Sequence, residues 1–327
     1  MSKPKKQHFV PETYLKQFTS NGLFFSLDVG LLKKGKIVHP SVPRAPASLA
    51  YKYNYFNIKP EDIILIDGSL VPDIDPLFLE EVAFLNFENN VSRIIQTIIS
   101  FHEINEHDAQ LFISSLVDLK FRNPHYRELI KKNYPAFVEK EVAEVLRDVE
   151  KLSANNPGHI WNKEDVIKGI KDFVIKNNEN QDEYVQHLHN SSLVNKEFRV
   201  NGFEKHLPEE MLKLSWFVLT TDNKHQFITS DNPGSCFDLA TRTIQNTKFK
   251  NPFIYYFPLD PNHCLKITDA KIDLEFLKSG RLKTCRHAPA QPETIREINH
   301  ATAKIAFKYI VAQRKVSLDD IICDGVL

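Results

Sequence analysis

The chain has 327 residues, 42% of them apolar, with 23 Phe and 10 Tyr; that composition buries a large core and excludes a disordered chain. Its 42 basic residues balance its 42 acidic ones, so net charge gives nucleic acid no support as a partner, although a local basic groove stays open. Cys236, Cys264, Cys285 and Cys323 form no Cys-x-x-Cys pair, and the 10 glycines build neither a G-x-G-x-x-G turn nor a P-loop, which sets aside zinc ribbons, disulfide frameworks and the common nucleotide cradles.

The first residues are basic, but no apolar stretch of about 7 to 15 residues follows them, and no apolar run approaches the roughly 18 needed to span a bilayer. The expectation is a cytoplasmic protein without a membrane partner. Aromatic and β-branched runs at 23–29 and 49–58 predict strands, with Pro40, Pro43 and Pro46 between them. From 76 to 102, Phe84, Phe87, Val91, Ile94, Ile95 and Ile98 return every three or four residues and predict a helix. A second helix is predicted over 106–122, and charge-laced helical segments follow at 126–152, 163–177 and 183–194, with a breaker at 155–158.

Strand character returns at 216–221, 226–230, 253–258 and 264–267, with 222–224 read as a hairpin turn. A last helix is predicted over 292–308, with Pro292 in its first turn, ahead of a short tail. The expected fold is α+β, a β-rich layer formed by N- and C-terminal segments around a helical middle block. It is read as one domain over 1–327, with sub-blocks at 1–70, 74–200 and 205–327.

Five residues stand out as candidates for chemistry. His8 lies just before Pro11, at the entry to a short helix, where a neutral imidazole can act as a base or metal ligand or simply bond a nearby carbonyl. Glu88 falls on the apolar stripe of its helix, where a carboxylate needs a partner, a proton or a metal. Arg122 ends the next helix ahead of Asn123-Pro124; it either pairs with Asp118 on the surface or turns inward to Glu88 or a bound anion. Asp231 and Asn232 sit in a polar turn after a strand, read either as a structural Asx turn or as an acid and a substrate-positioning amide.

Weaker signals complete the set. Asp118-x-Lys120 has the spacing of a nuclease half-motif but lies on a helix, and His187-x-His189 is expected to face solvent. His263 beside Cys264 and His287 two after Cys285 form a metal site only if the fold joins them, and Trp161 and Trp216 are read as core.

In order and spacing, the chain resembles DUF4238, a bacterial family of unknown function. The resemblance rests on His8, Pro11, Leu15 and Phe18 in a His-x-x-Pro-x-x-x-Leu-x-x-Phe pattern and on Ser230-Asp231-Asn232-Pro233. It extends to Phe87-Glu88, Arg122-Asn123-Pro124, Tyr256-Phe257-Pro258-Leu259, Asn299 and Ala306. It implies an organisation for nearly the whole chain and little chemistry. The functional expectation is a hydrolase, metal-assisted and nuclease-like, with His8 as base, Glu88 and Asp231 as acids or metal ligands, and Arg122 and Asn232 on the substrate. The cofactor is unknown, with a divalent metal admitted. The alternative is a non-enzymatic binding or sensor module in which these residues form a structural network.

Overall fold

A computed structural model describes residues 6–59, 75–155, 164–165, 167–169, 172, 180–194, 207–222, 224–246, 253–273 and 281–325. Residues 156–158 of the expected breaker, Trp161 and most of the helix expected at 163–177 lie outside them.

The architecture is α+β, and its described strands form three sheets rather than one layer. The smallest pairs β1 (Lys6–His8) with β3 (Tyr51–Tyr53), placing His8 opposite Tyr51. A three-stranded sheet sets β12 (Tyr309–Ala312) between β2 (Phe25–Asp28) and β6 (Thr229–Ser230), so N- and C-terminal segments do meet there. The largest has seven strands in the order β4 (Glu103–Asn105), β11 (Leu282–Pro289), β5 (Leu214–Thr220), β10 (His263–Ile272), β9 (Phe253–Asp260), β7 (Ser235–Asp238) and β8 (Thr243–Gln245). Its pairings are antiparallel except β11 on β5, which run parallel. Phe253, Tyr255, Tyr256, Phe257 and Leu259 of β9 are all buried, the near-continuous apolar run of a strand covered on both faces.

Helices cover these sheets. The predicted stripe of α3 (Leu85–Ser100) is buried at Phe87, Val91, Ile94, Ile95 and Ile98. It packs with α1 (Glu12–Leu15) and α4 (Glu106–Arg122), whose N-cap Asn105 accepts the Asp108 amide at 2.9 Å. Asn123 has ψ 140°, the extended geometry imposed by the following proline, and so separates α4 from α5 (Pro124–Asn155). The remaining described helices are α2 (Val29–Leu32), α6 (Gln181–Val194), α7 (Leu207–Lys213), α8 (Pro292–Ile305) and α9 (Val316–Cys323). The largest core cluster joins Phe9, Tyr14 and Phe18 to Phe87, Phe112 and Phe257. Among the described residues, no helix is long and apolar enough to cross a membrane.

Three expectations need correction. The 222–224 segment closes no hairpin, because β5 belongs to the seven-stranded sheet and β6 to the three-stranded one. Asp222 does accept the Lys224 amide at 3.0 Å, and Asn223 between them lies outside the described residues. The tail after the last helix is not a tail: α8 stops at Ile305, and the chain continues into β12 and α9. The helix expected from residue 76 begins instead as a π-helical turn, Leu79–Ala83, before α3.

Candidate functional site

The N-terminal motif is anchored before it reaches any site. Gln7 is buried and spans a chain reversal, donating to Asn57 Oδ1 at 3.0 Å and accepting the Phe56 amide at 2.6 Å. Pro11 is the N-cap of α1 rather than its first residue, and the short helix aims Tyr14 into the core. The Tyr14 hydroxyl donates to the Pro258 carbonyl at 2.8 Å and lies 2.7 Å from Thr229 Oγ1, so with its one proton given to Pro258 it accepts from Thr229. One phenol thus fastens the first motif to the Ser-Asp-Asn-Pro turn and to β9.

His8, Glu88 and Arg122 meet. Arg122 is only 2% exposed and turns inward: its Nη2 donates to Glu88 Oε1 at 2.8 Å and to the His8 carbonyl at 2.6 Å, with the guanidinium carbon 3.7 Å from the Phe84 ring centroid. The inward reading of Arg122 therefore describes the molecule. The half-buried Glu88 is the carboxylate on the apolar stripe, and Arg122 is the partner that such a position demands.

A fourth member was missed. Glu80 sits on the π-helical turn close enough to feel Arg122 and Glu88, and burial pushes its carboxyl up to about 7, with Arg122 and a backbone hydrogen bond at His8 pulling the other way. On an uninterrupted α-helix, Glu80 would be rotated roughly 80° from Glu88. The wider π turn changes that rotation, and Glu80 lies within electrostatic reach of Glu88 and Arg122; such turns recur at functional sites. Glu81, by contrast, is exposed. Nothing in the hydrophobic period announces a π turn, so no sequence signal distinguishes Glu80 from Glu81.

Among the described residues, three buried polar atoms in this cluster have no hydrogen-bond partner: His8 Nε2, Glu80 Oε2 and Arg122 Nε. Burial also lowers the His8 pKa, against the opposing pull of Glu12 and Glu88, so its imidazole is neutral near pH 7.

Asp231 and Asn232 form a second, separate cluster. Among the described residues no hydrogen bond or ion pair joins either to His8, Glu88 or Arg122. The Asp231 carboxylate accepts the amides of Phe307 (2.9 Å), Lys308 (2.8 Å) and Tyr309 (2.9 Å), which ends α8 and starts β12. Burial raises its pKa to about 7 although those three N–H groups hold it down. Asn232 donates to Asn246 Oδ1 (2.8 Å) and the Ile305 carbonyl (2.7 Å), and accepts from Lys120 Nζ at 3.1 Å.

Lys120 is fully buried, and among the described residues its hydrogen bonds go only to carbonyl oxygens: those of Asn232, of the Gly234 main chain, and of Asn246 at 3.2 Å. Burial lowers its pKa to about 7. The last turn of α4 thus serves both clusters, Lys120 and Asn123 holding the turn while Arg122 holds Glu88.

The weaker signals separate cleanly. His189, expected in solvent, is fully buried between Arg127 and the Phe121 carbonyl. His263 pairs with Asp260 at 2.9 Å and lies opposite Thr220, whereas His287 lies opposite Val218 on the other side of β5 and packs against His102. Trp216 is core. No group of three His, Cys, Asp or Glu among the described residues is placed to hold a metal ion.

The segments on which the resemblance rests are therefore mutual contacts: Tyr14 on Thr229 and Pro258, Asn123 on the Asp231 carbonyl, and Asn299 on the Gln226 carbonyl and Ile228 amide. A family model described as a protein of unknown function (DUF4238) matches residues 6–316. Neither a curated protein nor a solved structure matches the chain. With that match covering all but its ends, the chain belongs to the DUF4238 family.

Proposed function

We propose that this protein is a non-enzymatic binding or sensor module in which His8, Glu88, Arg122, Asp231 and Asn232 form a structural network. The observation that supports this reading is where the charges go. The Asp231 carboxylate spends three of its roughly four acceptor directions on consecutive backbone amides, and Arg122 spends Nη2 on Glu88 and the His8 carbonyl. Groups used in this way fix chain segments to one another. An intracellular setting belongs to the same reading, supported by four free thiols, three of them buried.

A second reading, a nuclease-like hydrolase, draws on a different observation. Glu80, with a carboxyl near 7, lies beside a neutral His8 whose Nε2 has no partner, a pairing of the kind that supports acid–base chemistry at neutral pH. His8→Ala, Glu88→Gln and Asp231→Asn separate the two. The network reading expects Asp231→Asn to lower the melting temperature markedly, and Glu88→Gln and His8→Ala by less, since the former of these two keeps an acceptor and the latter keeps the carbonyl that Arg122 bonds, with no phosphodiester cleavage by wild type in Mg²⁺ or Mn²⁺. Melting temperatures that hold or rise, together with metal-dependent cleavage lost in His8→Ala, would replace it with the hydrolase.

A further inference from the structure

Between α8, α9 and the loop before β6 lies a cavity of about 360 Å³, a size that suits a small molecule. Its lining includes Lys224 and Gln226 from the loop, Glu293 and Arg296 from α8, Asp320 from α9 and Asp324 just after it.

Gln226 is 4% exposed, and its position is set from both sides. Its main-chain carbonyl accepts from Asn299 Nδ2 at 2.8 Å, and its side-chain amide donates to Gln313 Oε1 at 3.1 Å. Its own Oε1 is closed to solvent, with no partner among the described residues. The Glu293 and Asp320 carboxylates and the Lys224 ammonium carry no hydrogen bond or ion pair among the described residues. Asp324 is already occupied, with His300 Nε2 at 2.7 Å and Arg296 Nε at 3.4 Å on the same oxygen.

The cavity therefore offers unpaired acceptors and unpaired or shared cations together. A simple anion would meet the Glu293 and Asp320 carboxylates, and a simple cation the Lys224 ammonium and the Arg296 guanidinium, each a like-charge encounter. We propose that the cavity binds a small zwitterion of amino-acid size, its ammonium received by Glu293 and Asp320 and its carboxylate by Arg296 and Lys224. Arg296 suits that role because its planar fork can face a carboxylate with two N–H groups while Nε stays near Asp324. This assignment rests on reading the chain as a binding module and supplies the ligand class that reading lacks.

The test is a thermal-shift screen of the full chain against free L-α-amino acids at up to roughly 10 mM, followed by calorimetric titration of the best one and of its N-acetyl and carboxamide derivatives. The expected result is a rise in melting temperature with at least one free amino acid, and affinity about tenfold weaker or worse when either charge is removed. Asp320→Asn and Arg296→Ala, both at exposed side chains, are expected to weaken binding by a similar factor while melting like wild type without ligand. No shift with any amino acid, equal binding of the derivatives, or binding indifferent to both substitutions would overturn the assignment. The ligand-free melts of His8→Ala and Glu88→Gln do not depend on this cavity, so the assignment can fail while the network reading stands, and the reverse.

Discussion

Arg122 grips Glu88 and the main chain of His8 through a single nitrogen, which makes the Arg122–Glu88 pair a clamp between α4, α3 and β1 rather than an isolated ion pair. The two ends are unequal, because Arg122 is 2% exposed and Glu88 23%. Removing the guanidinium loses the clamp and its packing on Phe84, and Arg122→Ala is expected to destabilise by about 3 to 5 kcal/mol. Glu88→Gln keeps a neutral acceptor within reach, so its cost is expected to be smaller, about 1 to 2 kcal/mol. Chemical denaturation of both variants and of the double variant checks this. Additive losses would mean that the clamp does not couple these residues.

Glu80 adds a pH dependence with a definite sign. Its carboxyl rises from 4.5 to about 7 in the folded chain, mainly through burial, so between those values the folded protein binds more protons than the unfolded one. Its contribution is fully present below the unfolded value and is lost as pH rises through the folded one. Glu80→Gln keeps the shape and cannot ionise. Its melting temperature is expected to match wild type near the low end of that window and to exceed it at about pH 8. Parallel profiles for the two proteins would rule out a titrating Glu80.

How much of this was legible in the sequence depends on how local each determinant is. The stripe of α3 and the break at Asn123-Pro124 are written in nearest neighbours, and both stand where they were expected. Glu88 was recognisable because a carboxylate on an apolar face must have a partner, and Arg122 was the cation the helix order offered. Glu80 was not recognisable, since the π turn that aims it depends on tertiary packing. The end of α8 was hidden for a similar reason: the acceptor that takes the amides of residues 307 to 309 is Asp231, more than seventy residues earlier. A strand within 226–230 stands as expected, but its hairpin with β5 does not, and the tail strand β12 was not expected, because both strands pair in a different sheet from β5.

Lys120 carries the opposite pH signature to Glu80. Burial lowers its pKa from 10.5 to about 7, so between those values the unfolded chain binds more protons and stability rises with pH. Lys120→Met removes the titration and the bonds to Asn232, Gly234 and Asn246 together. The stability gap between wild type and Lys120→Met is therefore expected to widen as pH climbs through that window, measured by urea titration at each pH. A constant gap would mean that the amine stays charged inside its ring of carbonyls.

Gly234 closes that ring and cannot be replaced cheaply. Its φ is +82°, and an added Cβ would stand 2.7 Å from Tyr255 Cζ and 3.1 Å from Phe257 Cδ2, side chains buried in β9. Gly22 is the natural control, with φ +75° and nothing within 4 Å of the same added atom. Gly22→Ala should show the left-handed backbone penalty alone, about 1 kcal/mol. Gly234→Ala should add overpacking against β9 and disturb the carbonyl that Lys120 bonds, for a total of about 3 kcal/mol or more. Equal losses in the two variants would mean that β9 yields and that the turn is held by its backbone conformation alone. A larger loss at Gly234, with the pH dependence of Lys120 weakened in the same variant, would tie the Ser-Asp-Asn-Pro-Gly turn to the buried amine as one unit.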